Sequence, residues 1–595
     1  MSVIEDSNTQ ESEGERSGGG HHRGHKHHRR THRERTSKRG EHKSHRGERG
    51  GTSDTDQSSS RRRHRRSRKP SKMGSFWANL LASLLIFVHI AIDTVLEFGL
   101  GWYLGDKKRS PAISSDDQKL CTKSAVELAK LIRERKLKAH DVVKAYIDRM
   151  KEVNVSLNAV VDGPFMEALD EAKEIDEKIA SGQLTEVDFT KKPFLGVPFT
   201  TKDSTSVKGK LHTLGLISRK NEKSLVDAEC VRLMKEAGAI IIATSNVPEV
   251  NKWSESRNSL IGQTNNPYDT RRSAGGSSGG EAALIAACAT GFGLGTDIGG
   301  SIRIPAFNCG IFGHKPTVGA INTKGCTFRT GKEKETMVVA GPMCRHATDL
   351  MPIFKVLVDP EMSTDLKLNE EVDVTKLRYF YIPSNDMPAC NPVNREAQSL
   401  MFKLTRYFSD LTGEEVKQAS LPGTEISGKL WRYWMTREPA DFNKLLGNGA
   451  NLNPFVELFK KIMGKSEFTM AAIYSLIDGL LPAEKAPLME EATTKCSEAL
   501  AEMLGDDGVL FFHSSPRTAP FHYYPLVKMM DFAYFSIFNV LRVPATQVPM
   551  GLDSKGMPLG IQVVAAKNCD RLCLAVAEEL EKEFGGWVAP FENRN

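Results

Sequence analysis

GGSSGGEAALIAACATGFGLGTDIGGSIRIPAFNCGIFGHKPT, residues 275–317, places two serine-bearing, glycine-rich turns on either side of one short apolar run. Glycine accepts the positive φ angles that side chains forbid, so each Gly-Gly-Ser turn folds tightly and exposes a hydroxyl beside bare backbone N–H groups. That arrangement suits a nucleophile, and Ser277, Ser278 and Ser301 are the candidates. Gly-Gly-Ser is also common in linkers, so the pattern acquires chemical meaning only with a base.

A serine hydroxyl attacks an acyl carbon poorly at its free pKa, and histidine is the first base to seek. Nine of the sixteen histidines lie in the first 64 residues, and no Gly-x-Ser-x-Gly elbow precedes an Asp and a His in α/β-hydrolase order. His314 sits past the second turn and, like Cys309, reads as a core residue. Another base appears upstream in GVPFTTKDS, where an apolar strand-like run ends on Lys202. A lysine at a strand end is often solvated. Buried, its ammonium form is disfavoured, and the neutral amine can take a proton through an intermediary hydroxyl. Two serine turns with an upstream lysine therefore outweigh the linker reading. Arg303, two residues past Ser301, reads as a structural ion pair with Asp297 or another acid.

The segment 275–317 resembles the signature of the amidase-signature hydrolases almost throughout, and the likeness covers roughly residues 118–590. Lys202, Ser277 and Ser301 stand in the family's Lys, Ser, Ser order. The resemblance implies that Ser301 is the acyl-enzyme nucleophile, Lys202 the ultimate base and acid, and Ser277 the bridge between them. Ser277 is chosen over Ser278 by the family pattern. It also implies a cis bond between Gly276 and Ser277, an oxyanion hole from the N–H groups of Ile298, Gly299, Gly300 and Ser301, and a three-layer α/β/α domain around one large mixed sheet. No cofactor is implied. The general run of the core, with the hydrophobic N-terminal segment, resembles the animal fatty-acid amide hydrolases. That implies a membrane-associated serine amidase converting fatty acyl amides to a fatty acid and an amine. Two rivals stand beside it. One is the same chemistry on small or xenobiotic amides, or in the glutaminase-type component of a transamidation complex; the other is a membrane or nucleic-acid scaffold working through its tail.

That tail, residues 1–72, holds twenty Lys or Arg against ten Asp or Glu, a net +10, and leaves −3 of the chain's +7 for the body. Rich in Ser, Gly, His and Arg and poor in large apolar residues, it cannot bury enough surface to offset its ordering entropy and is expected to be disordered. Its charge suits phosphates or anionic headgroups alike. The next segment favours the lipid, and no nucleic-acid partner is expected. From Phe76 to Leu104 the chain reads FWANLLASLLIFVHIAIDTVLEFGLGWYL, long enough to cross a bilayer and flanked by Trp77, Trp102 and Tyr103. His89, Asp93 and Glu97 recur every four residues and would share one face, so the segment 76–104 is expected either to span or to lie in the interface and pair with a partner. If it spans, the heavier positive flank at Arg61 to Lys72 keeps the N-terminus cytoplasmic. An endomembrane or lipid droplet is the expected site, and a homodimer is left open.

Ten scattered cysteines show no CxxC pair and no zinc spacing, so they read as mostly reduced core thiols and no metal is expected. One glycosylation sequon begins at Asn154. Residues 123–153 and 227–238 read as helical. The runs 239–244, 377–382 and 558–565 read as strands. Between 429 and 480 the chain is unusually apolar, and Phe455, Leu458, Phe459 and Ile462 form one stripe at helical spacing. That stripe is expected to pack in a core or to face lipid or an acyl channel, with Phe455, Phe459 and Ile462 as the channel residues.

Overall fold

A continuous apolar run marks a strand buried on both faces. AIIIAT, LRYFYI and PLGIQVVA are such runs, and the strands form at Ile240–Ser245, Arg378–Ile382 and Pro558–Ala565. In this computed structural model residues 72–113, 116–333 and 336–591 are described. The main sheet has eleven strands: β1 (Val160–Asp162), β2 (Pro198–Lys202), β3 (Ile240–Ser245), β4 (Phe292–Asp297), β5 (Phe312–Lys315), β6 (Val339–Cys344), β7 (Arg378–Ile382), β8 (Lys417–Gln418), β9 (Gly508–His513), β10 (Ala545–Leu552) and β11 (Pro558–Ala565). Their spatial order is β1-β3-β2-β4-β6-β5-β10-β11-β9-β7-β8. β2 runs parallel to β3 and β4, and β7 parallel to β8 and β9, while the central strands pair antiparallel, so the sheet is mixed.

Side chains alternate across a strand, and the core divides accordingly. Val509 and Phe511 of β9 pack into one apolar cluster, Leu510 and Phe512 into the other. Helices close both faces, giving the expected three-layer α/β/α architecture. Eight of them matter below: α1 (Lys72–Tyr103), α2 (Ala139–Leu157), α3 (Glu229–Glu236), α4 (Gly279–Ala286), α5 (Ser427–Met435), α6 (Phe442–Leu446), α7 (Pro454–Ile462) and α8 (Met470–Asp478). α2 buries Val142, Tyr146, Met150 and Val153 against the first cluster.

The basic tail lies outside the described residues except for Lys72, where α1 begins. α1 takes in the hydrophobic segment, and its window Ile86–Tyr103 is long and apolar enough to cross a membrane. Its polar face meets the body of the same chain. The His89 ring lies 3.1 Å from the Asn391 side-chain oxygen, and Tyr524 shares a 2.7 Å hydrogen bond with Asp93. Lys528 stands 3.4 Å from Asp93, Arg272 3.3 Å and Lys555 3.4 Å from Glu97. Carboxylates are costly in an apolar setting unless paired, and here the body supplies the cations. The partner of that face is thus intramolecular. The opposite face stays bare: Phe98 is 81% and Trp102 82% exposed.

Candidate active site

Lys202 is the last residue of β2, and its neighbour β4 ends on Asp297. Two parallel strand ends therefore deliver side chains to one edge, where α/β sheets commonly place their sites. Lys202 is fully buried. Its Nζ donates to Ser277 Oγ at 2.8 Å and to Thr296 Oγ1 at 2.8 Å. Burial pushes the amine down to about 7 from an ordinary 10.5, against Cys326, Asp297 and Glu281, whose charges favour the ammonium. Such an amine is half neutral near physiological pH.

Ser277 stands in the turn that opens α4, and the Gly276–Ser277 bond is cis. A Cβ on Gly276 would come within 2.6 Å of Glu255 N and Trp253 O, so only glycine lets the turn sit against that backbone. Ser278 caps the same helix, but its hydroxyl is buried and does not line the cavity described below. The turn after β4 is braced differently. Gly300 has φ +115°, a conformation that favours glycine, and its N–H donates to Asp297 at 2.7 Å. Asp297 also accepts from Ile302 N, Arg303 and Asn539. Burial alone would raise the Asp297 carboxyl, but Arg303 beside it holds it at about 2. The expected Arg303–Asp297 pair is thus present, and it fixes the loop that carries Ser301. Among the described residues, no hydrogen bond engages the N–H of Ile298, Gly299 or Ser301. Of the expected oxyanion set, Gly300 is the one whose N–H is already engaged, by Asp297.

Ser277, Thr296 and Ser301 line one end of a cavity of about 670 Å³. The rest of its wall is mostly apolar, with the charged side chains of Lys252, Arg329, Glu333, Arg432, Asp441, Lys444 and Asp478 set among the apolar ones. Trp431 and Met435 of α5, Phe442 and Leu445 of α6 and Ile477 of α8 contribute to it. The expected channel residues are elsewhere. Phe455, Phe459 and Ile462 are 64%, 66% and 76% exposed on α7, and none of them lines the cavity. The stripe is real, but α7 turns it outward because its opposite side, through Pro454 and Glu457, is the buried one.

The Amidase family profile matches residues 141–380. Fatty-acid amide hydrolase 2 of Homo sapiens is 40% identical over 479 residues, 78% of this chain and 90% of that protein. The chain belongs to the amidase-signature family. It is accordingly a hydrolase of carboxamide C–N bonds. Fatty-acid amide hydrolase 2-A of Danio rerio is also 40% identical, over 78% of this chain and 90% of the relative. A solved fatty acid amide hydrolase superposes with a TM-score of 0.65 at 20% identity, covering 86% of this chain and 91% of that one, a likeness of fold.

Three groups of this amidase's site escaped sequence reading. Thr296 offers only a single hydroxyl in the strand-like GLGTD. Glu281 is fully buried in α4, accepts from Thr200 Oγ1 at 2.8 Å, and is raised by burial to about 7. Trp431 donates its indole N–H to the Ile298 carbonyl at 2.8 Å from 133 residues away. The first two lie within the glycine-rich motif or next to it, but nothing local marks them as partners of Lys202. Trp431 carried no signal beyond apolarity.

Proposed function

We propose that this amidase hydrolyses fatty acyl amides at a membrane surface, through an acyl-enzyme on Ser301. The observation that carries the reading is a buried Lys202 amine 2.8 Å from Ser277 Oγ, behind a mostly apolar cavity that Ser277 and Ser301 both line. Neutral Lys202 takes the proton of Ser277 as Ser277 takes that of Ser301, and the Ser301 oxygen attacks the amide carbonyl. The N–H groups of Ile298, Gly299 and Ser301 receive the developing oxyanion. Each such donor is worth about 3–4 kcal/mol in comparable sites. The proton returns from Lys202 through Ser277 to the leaving nitrogen, the C–N bond breaks, and water releases the acid by the reverse relay.

The apolar wall favours an acyl chain over a small polar amide, since each buried CH₂ contributes about 0.8 kcal/mol. Membrane attachment is supported by the exposed apolar side of α1 and by the outward stripe of Phe455, Phe459 and Ile462, which reads as a lipid-facing cap beside the cavity.

Labelling with a fluorophosphonate probe, followed by turnover of acyl amides of graded chain length, tests the proposal. Ser301→Ala is expected to lose both labelling and turnover, and kcat/KM of the intact enzyme to rise with chain length. Full labelling of Ser301→Ala would overturn the assignment, and a rate that falls with chain length would overturn the fatty-amide reading.

A further inference from the structure

We propose that Cys230 and Cys326 form a disulfide when a hydroperoxide enters the active-site cavity, which makes the pair an oxidative modification site on the cavity's own wall. Their Sγ atoms lie 3.9 Å apart, both side chains are 1% exposed, and both are free thiols. Cys230 belongs to α3, and Cys326 to the segment whose Cys326, Thr327 and Phe328 line the cavity beside Lys202.

The backbone already holds the two segments together. Glu229 N–H donates to the Lys324 carbonyl at 2.9 Å, Ser206 N–H to Gly325 at 3.0 Å, and Ala228 N–H to Ser206 at 2.7 Å. A Cβ on Gly325 would meet the Ala228 Cα at 2.7 Å, so the chains run in van der Waals contact. Closing 3.9 Å to the roughly 2.0 Å of a disulfide asks the two sulfurs to approach across segments already in contact.

The two thiols are unequal. Cys326 faces the cavity and, alone among the ten cysteines, is drawn toward thiolate, by the hydrogen bond with Cys230 and by the nearby Lys202 and Arg329. Cys326 is therefore the attacking sulfur and Cys230 the resolving one. The Cys326 thiolate attacks the peroxide oxygen, the O–O bond breaks, and the alkoxide or hydroxide that leaves is protonated, giving a sulfenic acid. Cys230 sulfur then attacks the Cys326 sulfur, the S–O bond breaks, and hydroxide leaves as water with the Cys230 proton. Two thiols lose two electrons, and one peroxide is reduced to an alcohol, or water, plus water. Among the charges facing Lys202, oxidation removes Cys326 and leaves Asp297 and Glu281. The Lys202 ammonium then loses one source of support, a consequence that rests on the catalytic reading above.

The full-length enzyme treated with hydrogen peroxide, alkylated and digested, is expected to yield a peptide pair joined through Cys230 and Cys326 that dithiothreitol separates. Cys230→Ser, matched to the parent in melting temperature, should stop at the sulfenic acid and take up dimedone at Cys326. The acid limb of kcat/KM should sit at lower pH in the oxidised parent. Unlinked peptides in which Cys326 has gone on to sulfinic acid, or dimedone uptake at other cysteines but not at Cys326, would overturn the proposal whatever the fate of the catalytic reading. An acid limb that stays in place in fully linked enzyme would overturn the effect on Lys202.

Discussion

Lys202 has to be neutral to act as a base, and the structure sets how much of it is. An exposed lysine of pKa 10.5 is neutral in about one molecule in three thousand at pH 7, whereas a group at about 7 is neutral in half, a gain on the order of a thousandfold. The expected kcat/KM on a chromogenic acyl amide is flat above about pH 8 and falls about tenfold per unit below pH 7, because the free-enzyme base is lost to its proton. Glu281→Gln, which removes a carboxylate favouring the ammonium while leaving Thr200 an acceptor, should move that limb to lower pH. Stability should follow the same group. Between about 7 and 10.5 the unfolded chain binds a proton that the folded protein does not, so stability rises with pH across that window. Below it, the folded state carries the whole cost of a buried ammonium. Lys202→Met should therefore be inactive yet melt above the parent at pH 6, with the gap closing toward pH 10. A rate profile level from pH 5 to 9, a limb near 10, or a Lys202→Met variant that melts no higher than the parent at pH 6 would refute the reasoning.

Ser277→Ala and Lys202→Ala should each slow turnover by orders of magnitude, and their double variant little further, because one relay is broken only once; additive losses measured in a double-mutant cycle would show two independent devices. Trp431→Phe keeps the edge contact with Phe532 but removes the donor to the Ile298 carbonyl. Planarity of that peptide ties the Gly299 N–H to the same orientation, so kcat should fall about tenfold at little change in KM, the worth of one hydrogen bond; a change confined to KM would count against it. Phe459→Asp should weaken attachment to lipid vesicles without lowering kcat on a soluble short-chain amide, while Phe442→Asp, on the cavity wall, should raise KM for long amides selectively; equal losses from both variants would undo the distinction between α7 and α6. Lys528→Ala together with Arg517→Ala should release α1 from the body, read as faster hydrogen exchange over residues 89–97, and unchanged exchange there would show that the ion pairs do not hold it.

What this chain declared in its sequence was what depends on neighbours along the chain. The glycines around Ser277 and Ser301 were legible because a tight turn needs backbone freedom at that residue. The strands 239–244, 377–382 and 558–565 were legible because burial on both faces demands an unbroken apolar run, and His89, Asp93 and Glu97 because four-residue spacing puts them on one helix face. Periodicity says which residues share a face and nothing of what the face meets. So the stripe Phe455, Phe459 and Ile462 was visible while its outward direction was not, and the cavity wall went instead to α5, α6 and α8. The same limit hid the partners of α1, which come from Arg272, Asn391, Arg517, Tyr524, Lys528 and Lys555. Above all, the chemistry of Lys202 is not a property of lysine at position 202. It arises because the sheet brings β4 beside β2 and closes the core over both, stripping water from an amine that donates instead to Ser277 and Thr296.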